Sequence, residues 1–321
     1  MQRRRALRGL AALAILSSVV VACGDDADDE ATPAEATDGG GSEAQEIDIT
    51  AIDYSYSEAP SEIDAGLVTM NFSNEGKVDH EAALIEIGDA EQADFLTRFT
   101  PAVSEGGPFP DEAQNVAAPI EIPPGETASV TFLVSEGNYL VLCTLTGDAD
   151  NPDAEESDDT DPASMHMNKG MAQPLTVNAG DAGELPEADG TITAADYTFD
   201  IDVAAGDESI NFTNTGAEDQ VHFGAILQFP EGTSEEDALA TFAAFNSEEG
   251  PGEDSVQPSD DDYGFTGVYS KGLGGSVAVD DGFAPGTYII ACFISDRVGG
   301  PPHGVPEADG GHGMVKAFTV E

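Results

Sequence analysis

Tyr139-Leu-Val-Leu-Cys143 and Tyr288-Ile-Ile-Ala-Cys292 are short apolar runs that each end in a cysteine. The first run is followed by Met165-His-Met-Asn-Lys-Gly-Met171, and the second by His303 and by His312-Gly-Met314. In both cases the order is cysteine, histidine and then a Gly-Met pair. Short apolar runs of this composition favour buried β-strands. The repeated order indicates that the chain contains two copies of one unit.

One further histidine precedes each run, His80 in the first copy and His222 in the second. All five histidines of the chain, and two of its three cysteines, therefore belong to the repeated pattern. A thiolate, two imidazoles and a thioether are the ligands of a mononuclear blue-copper centre. The pattern therefore predicts copper chemistry.

The copies also align outside these motifs. Ile49-Thr-Ala-Ile-Asp-Tyr-Ser-Tyr56 matches Ile192-Thr-Ala-Ala-Asp-Tyr-Thr-Phe199, and Asn71-Phe-Ser-Asn-Glu-Gly76 matches Asn211-Phe-Thr-Asn-Thr-Gly216. An acidic stretch that contains glycine separates the copies. We therefore predict two domains, each large enough to bury a core, and a linker between them. Their bounds are 47–178, 179–190 for the linker, and 191–321.

The periodicity within each copy is that of short strands. In the first copy, strands are predicted at residues 50–56, 67–72, 130–134, 139–145 and 175–177. One short helix is predicted in each copy. Its residues are Asp89-Ala-Glu-Gln92 with Phe95 and Phe99 in the first copy, and Ser234-Glu-Glu-Asp237 with Leu239, Phe242 and Phe245 in the second. This pattern predicts an all-β fold of two tandem Greek-key β-sandwiches, each with one helical insertion.

On these residues the two units resemble the cupredoxins, the blue-copper family of plastocyanin, azurin and rusticyanin, over nearly the whole chain after the N-terminal segment. The resemblance implies electron transfer or copper handling, with a possible redox partner protein. It also implies two sets of copper ligands. These are His80, Cys143, His166 and Met171 in the first copy, and His222, Cys292, His303 and Met314 in the second. His312 remains an alternative to His303.

Two features depart from the cupredoxin pattern. Cupredoxins keep the cysteine and the second histidine within a few residues, whereas 22 residues separate Cys143 from His166 and ten separate Cys292 from His303. A long loop can still bring its ends together, because the entropic cost of closure grows slowly with length. The family also often has an asparagine beside the first histidine, where this chain has Glu81 and Phe223.

Several other interpretations of the same residues remain open. The cysteines could be core residues of a metal-free structural or binding module that keeps the fold. A disulfide between Cys143 and Cys292 is a further alternative. Met165-His-Met167 with Met171 could also bind Cu(I) in a copper carrier or buffer, or simply lie in a surface loop.

An enzyme is not predicted. A multicopper oxidase of related fold needs His-x-His pairs and a histidine next to the cysteine, and the sequence contains neither. Five histidines cannot supply two mononuclear sites and a trinuclear one.

The N-terminal segment is predicted to be a targeting signal. Arg3, Arg4, Arg5 and Arg8 precede an apolar run that is too short for a membrane span, and the run ends in Val20-Val-Ala-Cys23. This order resembles the bacterial lipoprotein cleavage box. It implies a signal peptide at 1–22, a lipid on Cys23 and attachment to the lipid bilayer outside the cytoplasm. Whether export uses the general or the twin-arginine route stays open.

Residues 23–46 are predicted to form a disordered acidic tether, because they are rich in Asp, Glu, Ala, Thr and Gly and contain no aromatic residue. The whole chain is strongly acidic, with 63 Asp and Glu against 10 Lys and Arg and a net charge of −53. Removing the signal peptide would take away four of the basic residues. Such a charge argues against nucleic acid as a partner.

Overall fold

Two β-sheets make up most of the described chain. The computed structural model describes residues 44–105, 107–118, 121–149, 162–245, 256–259, 263–279, 282–306 and 311–321. The predicted signal peptide, Cys23 and nearly all of the predicted tether lie outside these ranges. Among the described residues, no helix is both long and apolar enough to cross a membrane.

The strands of the first copy are β1 to β11. They are Gln45–Ile52, Ser55–Ser57, Glu62–Asp64, Gly66–Asn74, His80–Glu81, Ala83–Glu86, Val116–Ala118, Glu121–Ile122, Thr127–Val134, Gly137–Leu142 and Ala172–Asn178. The strands of the second copy are β12 to β19. They are Gly190–Ala195, Thr198–Asp202, Ser209–Asn214, Val221–Gln228, Tyr263–Ser270, Gly274–Ala278, Gly286–Ala291 and Val315–Val320. The predicted all-β fold class is confirmed.

Alternating burial explains how these sequences form sandwich sheets. Every second residue of β4 is buried, as expected for a strand with one face on the core. β10 and β18 are instead buried along both faces over their last four or five residues. These two strands belong to the apolar runs that end at Cys143 and Cys292. Each cysteine directly follows its buried strand and is itself buried.

Both sheets run through both copies. The eight-stranded sheet has the order β13-β12-β14-β17-β9-β4-β1-β2, and the nine-stranded sheet has the order β19-β18-β15-β16-β7-β6-β10-β11-β3. The copies join where β17 pairs with β9 and β16 pairs with β7. The Ser270 hydroxyl accepts a hydrogen bond from Val116 N at 2.9 Å across this junction. Residues 179–189 form neither helix nor strand. The predicted domain bounds remain a prediction, because the pairing of strands continues across them.

Three helices accompany the described strands: α1 (Gln92–Glu105), α2 (His166–Lys169) and α3 (Glu235–Phe245). α1 buries Phe95 and Phe99 as predicted. α3 starts after Ser234, whose hydroxyl accepts a hydrogen bond from Asp237 N at 3.1 Å, as a capping box requires. The prediction of one helix per copy missed α2, which is a single turn.

The prediction that Leu239 lies on the apolar face of α3 is wrong, because its side chain is 39% exposed. Ala238 is buried in its place and packs with Phe242 and Ile289 in a small cluster beneath the helix. The side chain of Phe245 lies outside the described part of the structure.

The predicted strand at 50–56 is also wrong in one respect. Asp53 and Tyr54 form a turn between the antiparallel strands β1 and β2, and Asp53 has a φ of 45°. Asp196 and Tyr197 form the same turn between β12 and β13, with a φ of 52° at Asp196. Aspartate tolerates the left-handed conformation better than most residues. The turn sets Tyr54 and Tyr197 at corresponding places.

Candidate metal centres

The first histidine of the first copy is held by a buried asparagine turn. Asn74 ends β4, and its amide nitrogen donates to the carbonyls of Val78 and Ile122, each at 2.9 Å. Its side-chain oxygen accepts a hydrogen bond from Gly76 N at 2.8 Å. A Cβ atom at Gly76 would lie 2.8 Å from His80 Nε2. Glycine is therefore needed here so that the turn can lie against the His80 ring.

The second copy repeats this construction. The Asn214 amide donates to the carbonyls of Gln220 and Tyr269 at 3.1 and 2.8 Å, and Asn214 accepts a hydrogen bond from Gly216 N. A Cβ atom at Gly216 would lie 3.0 Å from His222 Nε2. The shared Asn-x-Gly sequence is thus the local reason why His80 and His222 occupy equivalent places.

Backbone hydrogen bonds tie the cysteine, second histidine and methionine of each copy together. Cys143 N donates to Met171 O at 3.2 Å, and Met171 N donates to His166 O at 3.0 Å. The second copy has the same two bonds. Cys292 N donates to Met314 O at 3.1 Å, and Met314 N donates to His303 O at 2.8 Å.

The long Cys–His loop of the first copy returns to its starting point. Thr146 and Met165 form an antiparallel bridge, and His166 N donates to Leu145 O at 2.9 Å. Residues 150–161 lie outside the described part of the structure. His166 therefore lies next to Cys143. The 22 residues between them in the sequence do not keep the two side chains apart.

Three side chains converge in the interior of the first copy. His166 Nδ1 lies 3.4 Å from Cys143 Sγ and 3.1 Å from His80 Nδ1, and His80 Nδ1 lies 3.9 Å from Cys143 Sγ. All three residues are fully buried. We call this group site 1.

The second copy forms an equivalent group, which we call site 2. His303 Nδ1 lies 3.4 Å from Cys292 Sγ. The candidate ligand atoms of His222, Cys292 and His303 all lie within 4.8 Å of one another, and the three residues are fully buried. His222 Nδ1 has no hydrogen-bond partner.

The donor atoms of each site are spaced to bind one copper ion. Metal–nitrogen bonds of about 2.0 Å and metal–sulfur bonds of about 2.3 Å separate the donors of one ion by roughly 3.3–3.8 Å. The site 1 distances of 3.1, 3.4 and 3.9 Å scatter around this range. Two imidazoles and a thiolate suit copper, which such ligands also hold more tightly than zinc.

Burial prepares the imidazoles to act as ligands. It lowers the pKa of His80 and His222 to about 4 and that of His166 to about 3, and it also lowers the pKa of His303. These rings are therefore neutral at neutral pH, which metal binding requires. Burial raises the pKa of Cys292 to about 12 and also raises the pKa of Cys143 well above its usual value. The thiols would consequently lose a proton when a metal binds.

Both methionines predicted as ligands are fully buried. Their backbones are bonded to the cysteine and histidine of the same site, as described above. The assignment of Met171 and Met314 as weak axial ligands remains a prediction.

The two candidate histidines of the second copy, His303 and His312, lie at different places. His303 belongs to site 2, whereas His312 lies outside it with its ring stacked on Tyr197 at 3.5 Å between centroids. The alternative disulfide between Cys143 and Cys292 is wrong, because both thiols are free and each belongs to a different group.

Two contacts at the sites were not predicted. Glu81 Oε1 accepts a hydrogen bond from Thr144 N at 2.7 Å and so braces the residue after Cys143. His303 Nε2 lies 2.9 Å from Asp296 Oδ1. Alignment of the two copies at this position, four residues after the cysteine, could have drawn attention to Asp296.

Fold and site together define an all-β protein with two buried His/Cys/His centres suited to copper. No protein-family model matches the chain, and no curated protein is similar to it in sequence. Among solved structures, auracyanin from Roseiflexus castenholzii is 23% identical and covers 42% of this chain and 97% of its own, with a TM-score of 0.27.

Auracyanin A, a "blue" copper protein from Chloroflexus aurantiacus, is 25% identical and covers 42% of this chain and 100% of its own, with a TM-score of 0.28. A multicopper oxidase is 15% identical and covers 86% of this chain and 88% of its own, with a TM-score of 0.23. TM-scores this low support no inference about function.

Proposed function

We propose that this protein is a cupredoxin-like electron carrier that binds one copper ion in each copy. The observation that carries the proposal is the convergence of His80, Cys143 and His166, repeated by His222, Cys292 and His303. Copper supplies one-electron chemistry at such a site. The protein's own part is to hold the ligands in an interior that excludes water.

The metal-free alternative is less favourable physically. Each site gathers three polar side chains in a fully buried place, and burying polar groups without good partners costs free energy. The thiol and imidazoles at site 1 have close contacts mainly with one another. Both copies keep this arrangement, as expected if a metal ion compensates the cost of burial in each.

Electron transfer is favoured over copper carriage by the burial of the methionines. Met165, Met167 and Met171 are at most 2% exposed, so they do not form an accessible thioether surface for loading and unloading Cu(I). Catalysis of oxygen reduction is not proposed, because four of the five histidines are already used by the two sites.

The proposal is tested by voltammetry of the purified protein after Cu(II) loading. We expect reversible one-electron waves, because ligands preset by the fold need little rearrangement between the two oxidation states. A protein that binds copper through its thiols but releases it on reduction would overturn the electron-carrier assignment and leave copper handling. A copper-free protein prepared with chelator is the control.

The proposed location is the outer face of a bacterial membrane, with a lipid on Cys23. Support comes from the order of basic residues, apolar run and cysteine at the N-terminus. A Cys23→Ser variant is expected to leave the membrane fraction, because it lacks the thiol that would carry the lipid. Retention of the variant in that fraction would refute the anchor. We also propose that the protein exchanges electrons with a redox partner protein. Nucleic acid is not proposed as a partner.

A further inference from the structure

Three residues surround the second histidine of each site, and they occupy equivalent positions in the two copies. One follows the cysteine by four residues, one precedes the methionine by two, and one is the tyrosine of the Asp-Tyr turn. We call these residues the outer group. In site 1 they are Gly147, Lys169 and Tyr54, and in site 2 they are Asp296, His312 and Tyr197.

The outer group of site 1 contains a cation. Lys169 Nζ donates to Gly147 O at 2.5 Å and to the Tyr54 hydroxyl at 3.2 Å, and it lies 4.5 Å from the Tyr54 ring centroid. The Tyr54 ring in turn contacts the His166 ring edge-on, with centroids 5.3 Å apart.

The outer group of site 2 contains an anion. Asp296 Oδ1 lies 2.9 Å from His303 Nε2, while Oδ2 accepts a hydrogen bond from the Tyr197 hydroxyl at 2.9 Å and lies 3.5 Å from His312 Nε2. A carboxylate that is hydrogen-bonded to the second nitrogen of a ligand histidine fixes the orientation of the ring. It also makes the first nitrogen a stronger electron donor to the metal.

Site 1 has a glycine where site 2 has Asp296. A Cβ atom at Gly147 would lie 3.2 Å from His166 Nε2 and 3.4 Å from the Val78 Cβ, so a side chain at this position would press on the His166 ring. His166 Nε2 accordingly has no carboxylate partner like the one that His303 Nε2 has in Asp296. The difference between the two sites is therefore built into the packing.

From these contacts we infer that the two sites have unequal reduction potentials, with site 1 the more easily reduced. This inference rests on the proposed function. Oxidation adds one positive charge to a site, which a neighbouring carboxylate stabilises and a neighbouring ammonium destabilises. One electron given to the fully oxidised protein by a soluble one-electron donor therefore resides at site 1, and the donor is oxidised by one electron.

Lys169 and Asp296 give the two outer groups opposite charges. Asp53 and Asp196 occupy the same turn position in the two copies, and Lys77 Nζ lies 3.5 Å from the Asp53 carboxylate. Asp296 is a positioning residue for His303, since it acts on the site through that ring.

The test uses Asp296→Asn, which keeps the size of the side chain and removes its charge. Potentials are measured at pH 8, above the ordinary histidine pKa of about 6.5. Loss of such a partner typically weakens metal binding about 10- to 100-fold. A tenfold loss confined to the oxidised form would raise the potential of site 2 by about 59 mV.

Lys169→Gln is expected to lower the potential of site 1, and Asp296→Glu to restore most of the original value at site 2. Asp200→Asn and Lys271→Gln, which remove the same charges at positions outside both sites, are the matched controls. Cu(I) and Cu(II) affinities measured by ligand competition give a second readout that does not depend on electron transfer.

Site-specific values come from Cys143→Ser, which leaves only site 2, and from Cys292→Ser, which leaves only site 1. The inference is overturned if both sites bind copper but have equal potentials, if site 2 has the higher one, or if Asp296→Asn changes neither affinity nor potential. Failure of both sites to bind copper through sulfur would instead overturn the proposed function, and the inference with it.

Discussion

Replacing Cys292 by serine is expected to remove one copper ion per chain, together with the visible thiolate-to-copper absorption of site 2. The thiolate is the strongest donor of the group, and a serine hydroxyl stays protonated at neutral pH and cannot replace it. Site 1 should keep its copper, because its three ligands all come from the other copy. Metal analysis and an absorption spectrum of the same sample measure both effects.

The reciprocal variant, Cys143→Ser, is the matched control. It should remove the absorption of site 1 and preserve that of site 2, and the double variant should lose both. Circular dichroism checks that the strands persist in each case. Unchanged copper content and absorption in either single variant would show that its cysteine is not a ligand.

Replacing Gly275 by alanine is expected to destabilise the protein strongly, by about 3 kcal/mol, the upper end of what overpacking usually costs. A Cβ atom at this position would lie 2.0 Å from the Tyr269 hydroxyl oxygen and 2.7 Å from Tyr269 Cζ. Gly275 also pairs with Phe132 where β17 meets β9, so the backbone cannot easily move away. Urea unfolding measures the loss.

Two further variants show that the clash is the cause. Tyr269→Phe alone should be neutral or stabilising, because the buried hydroxyl has no hydrogen-bond partner. Combined with Gly275→Ala, it should recover part of the loss, since Cζ remains close. Ser276→Ala, the next residue of β17, controls for adding alanine to this strand. A Gly275→Ala protein with the stability of the parent would contradict the packing at the junction.

Much of the site could be predicted from the sequence because it occurs twice. A lone cysteine after an apolar run is compatible with any core, but Cys143 and Cys292 share the order of histidine and methionine that follows. The repeated order predicted the composition of both His/Cys/His groups. It did not decide between His303 and His312, because both precede Met314 and only the folded loop distinguishes a ligand from a ring stacked on Tyr197.

Other features depended on contacts that the sequence does not encode locally. The joining of the two copies through β9 and β17 depends on which strand edges meet, and this is a property of the assembled sheets. The role of Asp296 depends on a 2.9 Å contact with His303, seven residues away across a loop. The turn at Asp53 interrupts an alternating pattern that otherwise predicts one continuous strand.

The central claim is that each copy binds one copper ion through a cysteine and two histidines. Titration of the metal-free, wild-type protein with Cu(II), followed by visible absorption and by X-ray absorption at the copper edge, tests it most directly. We predict that the absorption saturates at two equivalents, with one short copper–sulfur bond and two copper–nitrogen bonds per ion. Saturation without visible absorption, or copper bound by oxygen and nitrogen alone, would contradict the claim.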